Sequence, residues 1–182
     1  MKKLIITTIG LLVLFSNLPV RSVSNTGNNS VKIKIAWTYK DFPKNVKMEI
    51  YEPSPNRTIR LWDTTSEKDP NNIPISSIIK NSTLQMIPGG LKRFILVLKN
   101  KTSKPIYFFA SPHHIDPPEH SLGFKFKCLC IDHTFEVKPG ETWYRVVQLK
   151  LSSNFVGKSI NITHTLVTVS DEVMEKFKLF NE

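Results

Sequence analysis

Alternating apolar and polar residues dominate this chain and predict β-strands. Residues 31–37 alternate in this way, which is typical of a strand with one buried face. Residues 94–98 are apolar throughout, as expected for a central strand that is buried on both faces. Turn-forming residues such as Pro88, Gly89 and Gly90 separate neighbouring segments. Further strands are predicted at residues 83–87, 106–109, 124–131, 135–137, 143–151 and 160–169.

Two segments depart from this pattern. Residues 42–82 are rich in Pro and Asn with short apolar runs between them, which indicates edge strands and long loops. The tail has a helical pattern, in which Ser170 suits the N-cap and Asp171 and Glu172 suit the first turn. We expect its apolar face to pack against the strands, with docking to a partner as the alternative. That face consists of Val173, Met174, Phe177 and Phe180.

Short strands separated by turns indicate an all-β fold. We predict an immunoglobulin-like (Greek-key) β-sandwich with a short C-terminal helix. The Cys…Trp…Cys spacing of antibody domains is missing, so the chain is not a true antibody domain. About 155 residues follow the N-terminal apolar segment, which is enough for one domain with a substantial core. Because the sequence contains no internal repeat and no second composition regime, we assign residues 31–182 to a single domain.

The N-terminus predicts export. Basic residues at the start precede an apolar run over residues 4–15. A membrane-spanning helix needs about 20 apolar residues, so this run is too short to span a membrane comfortably. We predict a signal peptide within residues 1–24; the alternative is a signal-anchor that holds the protein to a membrane through residues 4–18. Residues 25–30 form a polar, flexible lead-in. In either case we expect the domain in the periplasm or at the outer face of the inner membrane.

The net charge is positive. It is +10 for the whole chain, and removal of Lys2, Lys3 and Arg21 with a signal peptide would reduce it to +7. Nucleic acid is one partner for a basic surface, but export argues against it. The bases are scattered over the polar faces of the predicted strands. We therefore expect a solvated basic surface, with docking to an acidic partner or an anionic membrane as the alternative.

The only two cysteines, Cys128 and Cys130, lie one residue apart in a predicted strand. Residues i and i+2 of a strand share a face, so both thiols are expected on one face together with Phe124 and Phe126. Their Cα atoms would lie about 6–7 Å apart. Thiolates this close suit a soft ion of low coordination number, and Cu(I) selects such ligands. A disulfide or a pair of inert buried thiols is the alternative.

Other motifs accompany the cysteine pair in a definite order. Residues 98–102 end a strand in Asn and a polar turn, Pro118-Glu119 precedes the cysteines, and Pro139-Gly140-Glu141 follows them. With Cys128-Leu129-Cys130-Ile131 in place of a Cys-Phe-Cys-Phe motif, the segment from residue 86 to 169 resembles the CtaG-type Cu(I) chaperones. That family assembles the copper B site of cytochrome c oxidase.

The resemblance implies an exported metallochaperone without catalytic activity. Cys128 and Cys130 would bind Cu(I) and deliver it to a copper-accepting protein such as a cytochrome oxidase subunit, and a homodimer is one way to complete the site. No Gly-x-Ser-x-Gly, His-Glu-x-x-His or Gly-rich phosphate loop supports an enzyme. The alternative function is an immunoglobulin-like interaction or structural module of an exported complex, in which the cysteines form a disulfide or stay inert.

Histidines near the cysteines are candidate secondary ligands, because neutral imidazole is a common metal ligand. His133 follows Cys130 by three residues, a spacing that is found in blue-copper proteins. The weak axial Met of such sites is missing nearby. His164 alternates with Ile160 and Ile162 and is expected to be a core histidine. The candidate secondary ligands are His113, His114, His120 and His133.

Overall fold

The computed structural model describes residues 30–129 and 134–180, with side chains up to residue 176 in the C-terminal helix. Within these ranges the chain forms two six-stranded sheets and one α-helix, so the predicted all-β sandwich with a short C-terminal helix is confirmed. The predicted signal segment, residues 1–24, lies outside the described residues. In chain order the elements are β1 (Val31–Lys40), β2 (Met48–Pro53), β3 (Thr64–Glu67), β4 (Ile75–Ile78), β5 (Thr83–Met86), β6 (Leu91–Lys99), β7 (Ile106–Ala110), β8 (His114–Asp116), β9 (Phe124–Lys127), β10 (Phe135–Val137), β11 (Thr142–Leu151), β12 (Ser159–Val169) and α1 (Asp171–Phe180).

The two sheets are built from strands that are distant in sequence. The first sheet has the order β10-β7-β12-β1-β5, and β8 also pairs with β12. The second sheet has the order β3-β11-β6-β2-β4, and β9 also pairs with β11. The pair β1–β12 is parallel, and the other described pairs are antiparallel. Among the described residues, no helix has the length and apolar character needed to cross a membrane.

Period-two patterning places the core between the sheets. Ile33 and Ile35 of β1 are buried, while Lys32 and Lys34 face solvent. The central strand β6 is buried on both faces, as its continuous apolar run predicted. Its inner face contributes to the core between the sheets, and its outer face belongs to a second cluster formed by Ile95, Val97 and Val146.

The Pro/Asn-rich region provides the cover for this outer face. Ile59 and Ile75 come from that region and pack against the second cluster. Its strands β3 and β4 lie at the edges of the second sheet, as predicted, whereas β2 lies between β6 and β4. The long loops of this region therefore pack over the outer face of the second sheet, which shields β6 from solvent.

In each sheet, one strand changes its pairing partner beside the segment that joins β7 to β9. We call the gap between the two partners an interrupted edge. In the first sheet β12 pairs with β8 at residues 161–163 and with β7 at residues 166–169. In the second sheet β11 pairs with β3 at residues 142–145 and with β9 at residues 148–151. The gaps in the two edges are where chemically active side chains gather.

The strand that carries the cysteines is shorter than predicted. It ends at Lys127, and the next residues, Cys128 and Leu129, form a bend in which both side chains are buried. The ladder cannot continue because residues 62–63 occupy the next positions on β11: Trp62 N donates to Val146 O, and Val146 N donates to Asp63 O. The expectation that Cys128 lies in a strand is therefore wrong, and Cys130 lies outside the described residues.

The C-terminal helix begins where the sequence predicted. Ser170 Oγ accepts a hydrogen bond from Val173 N at 3.4 Å, and the Ser170 carbonyl accepts one from Met174 N. The expected packing of its apolar face is incomplete, since Val173 is 40% exposed. The side chains of Phe177 and Phe180 lie outside the described residues.

Asn100 connects the end of β6 to two loops, and its loss should be costly. Its amide donates to the carbonyls of Lys104 and Val137, at 2.8 Å each, and its Oδ1 accepts from Thr102 N at 2.9 Å. Because Asn100→Ala removes these hydrogen bonds and leaves the buried Val137 carbonyl without this donor, we expect the free energy of unfolding to fall by about 2–4 kcal/mol in urea denaturation. Asn161→Ala removes one exposed hydrogen bond and should cost less than about 1 kcal/mol. Equal losses in the two variants would contradict this assignment.

Candidate metal centre

Three side chains with metal-ligand atoms converge at the interrupted edges. The ligand atoms of His113, Cys128 and His164 lie within 4.8 Å of one another. Cys128 and His164 are buried, and His113 is partly exposed. In the part of the chain that the structure describes, this is the one group of His, Cys, Asp and Glu side chains with such spacing.

His164 reaches this position through the strand period of β12. It shares the inward face with Ile160, Ile162 and Leu166, so its imidazole lies in the interior. The parallel register of β1 and β12 places Trp37 beside it. The two rings stack with centroids 5.1 Å apart and an interplanar angle of 23°, which orients the imidazole.

His113 lies in the gap between β7 and β8. The backbone on either side stays attached to β12, because Ser111 N donates to Thr165 O at 2.9 Å and His114 pairs with Thr163. The His113 ring lies 5.3 Å from the ring of His164 in an edge-to-face arrangement. Because β12 changes its partner from β8 to β7 at this point, the loop residue His113 lies beside the buried His164.

Cys128 reaches the same place from the second sheet. The pairing of Lys127 with Gln148 brings the chain to the interrupted edge of β11, and the bend then begins. Cys128 is 3% exposed, so its side chain lies in the interior. Its sulfur is therefore a soft donor held in the interior.

Aromatic rings surround the three donors. The centroid of the Phe126 ring lies 5.5 Å from that of His164 and 6.3 Å from that of His113, and Phe124 lies 6.1 Å from His113. Phe126 also packs against Phe94 of β6, with centroids 5.7 Å apart. Surroundings of this kind lower the local dielectric constant and strengthen the electrostatic interactions of a thiolate.

The donor set fits a three-coordinate metal ion. Metal–ligand bonds of about 2.0–2.3 Å put the ligand atoms of a trigonal site about 3.5–4 Å apart. Donors that lie within 4.8 Å of one another therefore need to close by about 1.3 Å at most. His113 has room for this adjustment because it is partly exposed and lies between strands. One thiolate and two imidazoles are ligands that suit copper and zinc.

A buried arginine lies near this cluster. Arg145 is 4% exposed, and its guanidinium lies 4.7 Å from the ring centroid of Trp62 and 5.2 Å from that of Phe135. Among the described residues its Nε has no hydrogen-bond partner, and no carboxylate forms a salt bridge with it. Burial lowers the pKa of Arg145, and the negative charge of a Cys128 thiolate opposes that shift. An anion at Cys128 therefore compensates a buried cation that would otherwise be costly.

The structure brings together two of the candidate ligands named from the sequence, Cys128 and His113. His114 is exposed on β8. His120 packs against the ring of Phe155, with centroids 4.8 Å apart. Neither of these two histidines belongs to the group of three donors.

The remaining candidates have different outcomes. Cys130 and His133 lie outside the described residues, so their roles as ligands stay predictions. His164 is a core histidine as expected, but its place beside Cys128 was not foreseen. The available signal was an imidazole on a strand face that is otherwise aliphatic, a position where a polar group needs partners.

A family model matches most of the chain. The family is described as Domain of unknown function (DUF8709), and the match covers residues 31–169. The matched range begins with β1 and ends with β12, so it contains both sheets and all three donors. No curated protein matched the chain.

The burial of Arg145 predicts an unusual response to substitution in the metal-free protein. Arg145→Met removes a charge that no described carboxylate pairs with and retains most of the volume, so we expect the free energy of unfolding to change by less than about 1 kcal/mol or to rise. Arg145→Ala leaves a cavity between Trp62 and Phe135 and should cost about 2–4 kcal/mol. Denaturation with a chelator present measures both changes. A loss in Arg145→Met as large as that in Arg145→Ala would show that the charge itself supports the fold.

Proposed function

Since the chain belongs to the DUF8709 family, whose description gives no activity, we propose from its own residues that it binds one Cu(I) ion and passes it to another copper protein. The observation that carries this proposal is the convergence of one thiol and two imidazoles within 4.8 Å. His113, Cys128 and His164 would hold the ion. The resemblance to CtaG-type chaperones supports the same metal and the same role.

Charge favours Cu(I) over divalent ions at these residues. The thiolate of Cys128 neutralises a monovalent ion but leaves a divalent ion with one excess positive charge. Because the site is buried, an uncompensated charge costs several kcal/mol. Arg145 adds a second positive charge nearby and increases this penalty. Zinc in structural sites also takes four ligands, one more than the three described donors provide.

His113 is the donor through which the ion would be exchanged. It is the partly exposed member of the group, and it lies between strands rather than in a ladder. Transfer to an acceptor proceeds by replacing one ligand at a time, which requires a donor that the acceptor can reach. The acceptor would therefore approach the interrupted edges of the sandwich. Cys130 as a second thiolate and a homodimer that completes the site stay predictions.

Electron transfer is a second candidate, and the donor set favours it. Trigonal His₂Cys sites are typical of blue-copper electron-transfer proteins, which hold copper in both oxidation states. The sequence contains no Met between Met86 and Met174 to serve as the weak axial ligand on these segments. The two functions differ in the fate of the metal, because a carrier gives up its ion and an electron-transfer site retains it.

The three-donor site predicts the result of an anaerobic Cu(I) titration against a chromophoric chelator. We expect one Cu(I) per monomer, and a loss of affinity of about 100-fold or more in Cys128→Ser and in His164→Gln, or about 2.7 kcal/mol. His114→Gln is the matched control, because this exposed histidine adjoins His113 but lies outside the group of donors. Its Cu(I) affinity should equal that of the wild type.

The same titration separates the two possible donor sets. In the three-donor site, Cys130→Ser should weaken Cu(I) binding less than Cys128→Ser does. Full Cu(I) affinity in His164→Gln together with a large loss in Cys130→Ser would contradict the proposed ligands and return the metal to the cysteine pair.

The charge argument predicts how the protein treats Cu(II). We expect no intense thiolate-to-copper absorption band when Cu(II) is added to the wild type, because the buried site would carry excess positive charge. Arg145→Gln removes one positive charge and should raise the affinity for divalent ions relative to Cu(I) by about tenfold. Visible absorption and metal competition measure these effects. An intense band in the wild type would favour electron transfer instead.

A further inference from the structure

Four segments meet at one end of the sandwich. Backbone hydrogen bonds join Lys32 N to Lys158 O, Gly89 N to Ser152 O, and Ser152 N to Gly123 O. The start of β1, the turn between β5 and β6, the turn before β9 and the loop between β11 and β12 therefore lie side by side. We call residues 87–90, 120–123 and 152–158 the turn end.

Aliphatic side chains at the turn end project into solvent. Leu122 is 94% exposed, Val156 85% and Ile87 65%. The turn that carries Leu122 is packed tightly, since a Cβ atom on Gly123 would lie 2.5 Å from the ring of Phe155. Leu122 is thus presented outward by an ordered turn, although its burial elsewhere would be favourable.

Bases border the turn end. On the outer face of the second sheet Lys125 of β9 lies directly opposite Lys150 of β11. Like charges directly opposite one another destabilise a sheet, and in the described residues neither lysine forms a salt bridge. Residues 87–93, 120–127 and 150–160 contain no Asp or Glu. The arrangement is therefore suited to an anionic partner.

We propose that the turn end docks on an anionic lipid surface, with Leu122 and Val156 in the interfacial layer and Lys125, Lys150 and Lys158 facing lipid phosphates. Burial of apolar side chains and attraction to anionic lipids add together in interfacial membrane binding. Docking of this kind places the domain against a membrane without any of the described strands or the described helix crossing it. Lipid docking does not require copper, so the copper-binding proposal and the docking proposal can each fail without the other.

In the signal-anchor alternative, in which residues 4–18 are retained, the N-terminal sequence also favours a membrane as the occupant. The apolar run at residues 4–15 precedes Ser30 by about fifteen residues, and the chain enters β1 at the turn end. Fifteen extended residues span at most about 50 Å, so a membrane that holds the run lies within reach of the turn end. A tether of this length also raises the effective concentration of the surface, which makes weak docking sufficient.

Hydrogen–deuterium exchange of the full chain tests the proposal. The chain is reconstituted with vesicles of phosphatidylglycerol and phosphatidylcholine, and separately with phosphatidylcholine alone. Because an apolar run such as residues 4–15 is able to associate with both lipids, exchange at the turns is the readout rather than binding. We expect amides of residues 120–123 and 152–158 to exchange at least about fivefold more slowly on the anionic vesicles. High salt should remove this slowing.

Matched variants assign the effect to the named side chains. Leu122→Ser combined with Val156→Ser should abolish the slowing, whereas Ile78→Ser should not, because Ile78 is 49% exposed on β4 at the far edge of the second sheet. Lys125→Gln combined with Lys150→Gln should reduce it. Unslowed exchange on both vesicles, equal slowing on phosphatidylcholine alone, or slowing by poly-glutamate without lipid would each overturn the proposal.

Discussion

The inward position of His164 is the constraint on which the candidate metal centre depends. The two-residue period of β12 places its imidazole on the same face as Ile160, and turning it outward would expose that whole face. A buried imidazole needs partners. Trp37 supplies a stacking partner through the parallel register, and the interrupted edges bring His113 and Cys128 to the same place.

The interrupted edges make this convergence possible without leaving the backbone unsatisfied. Unpaired backbone groups inside a protein are costly, and the edge of a sheet exposes a row of them. Short segments fill the gaps here, since Ser111 bonds to Thr165 beside β12 and Trp62 bonds to Val146 beside β11. The side chains between the paired stretches are then positioned by loops and not by a continuous ladder, so three elements can contribute one donor each.

Electrostatics links the donors to the surrounding fold. Arg145 occupies an inward position on β11 between two aromatic rings, and the charge that opposes its desolvation belongs to Cys128. With Cys128 bound as a thiolate beside the Arg145 cation, this interior would accept a monovalent ion more easily than a divalent one. Arg145 and Cys128 would thereby bias the proposed site towards Cu(I).

The sequence by itself determined most of the strands, the all-β class and the helix cap at Ser170, because strand period and capping chemistry report on neighbours close in sequence. It also named Cys128 and His113 as candidate metal ligands. Only the tertiary structure decided that Cys128 meets His164 and that its strand stops at Lys127. Both outcomes depend on which strand β11 pairs with at each position, and such non-local pairing leaves no local pattern in the sequence.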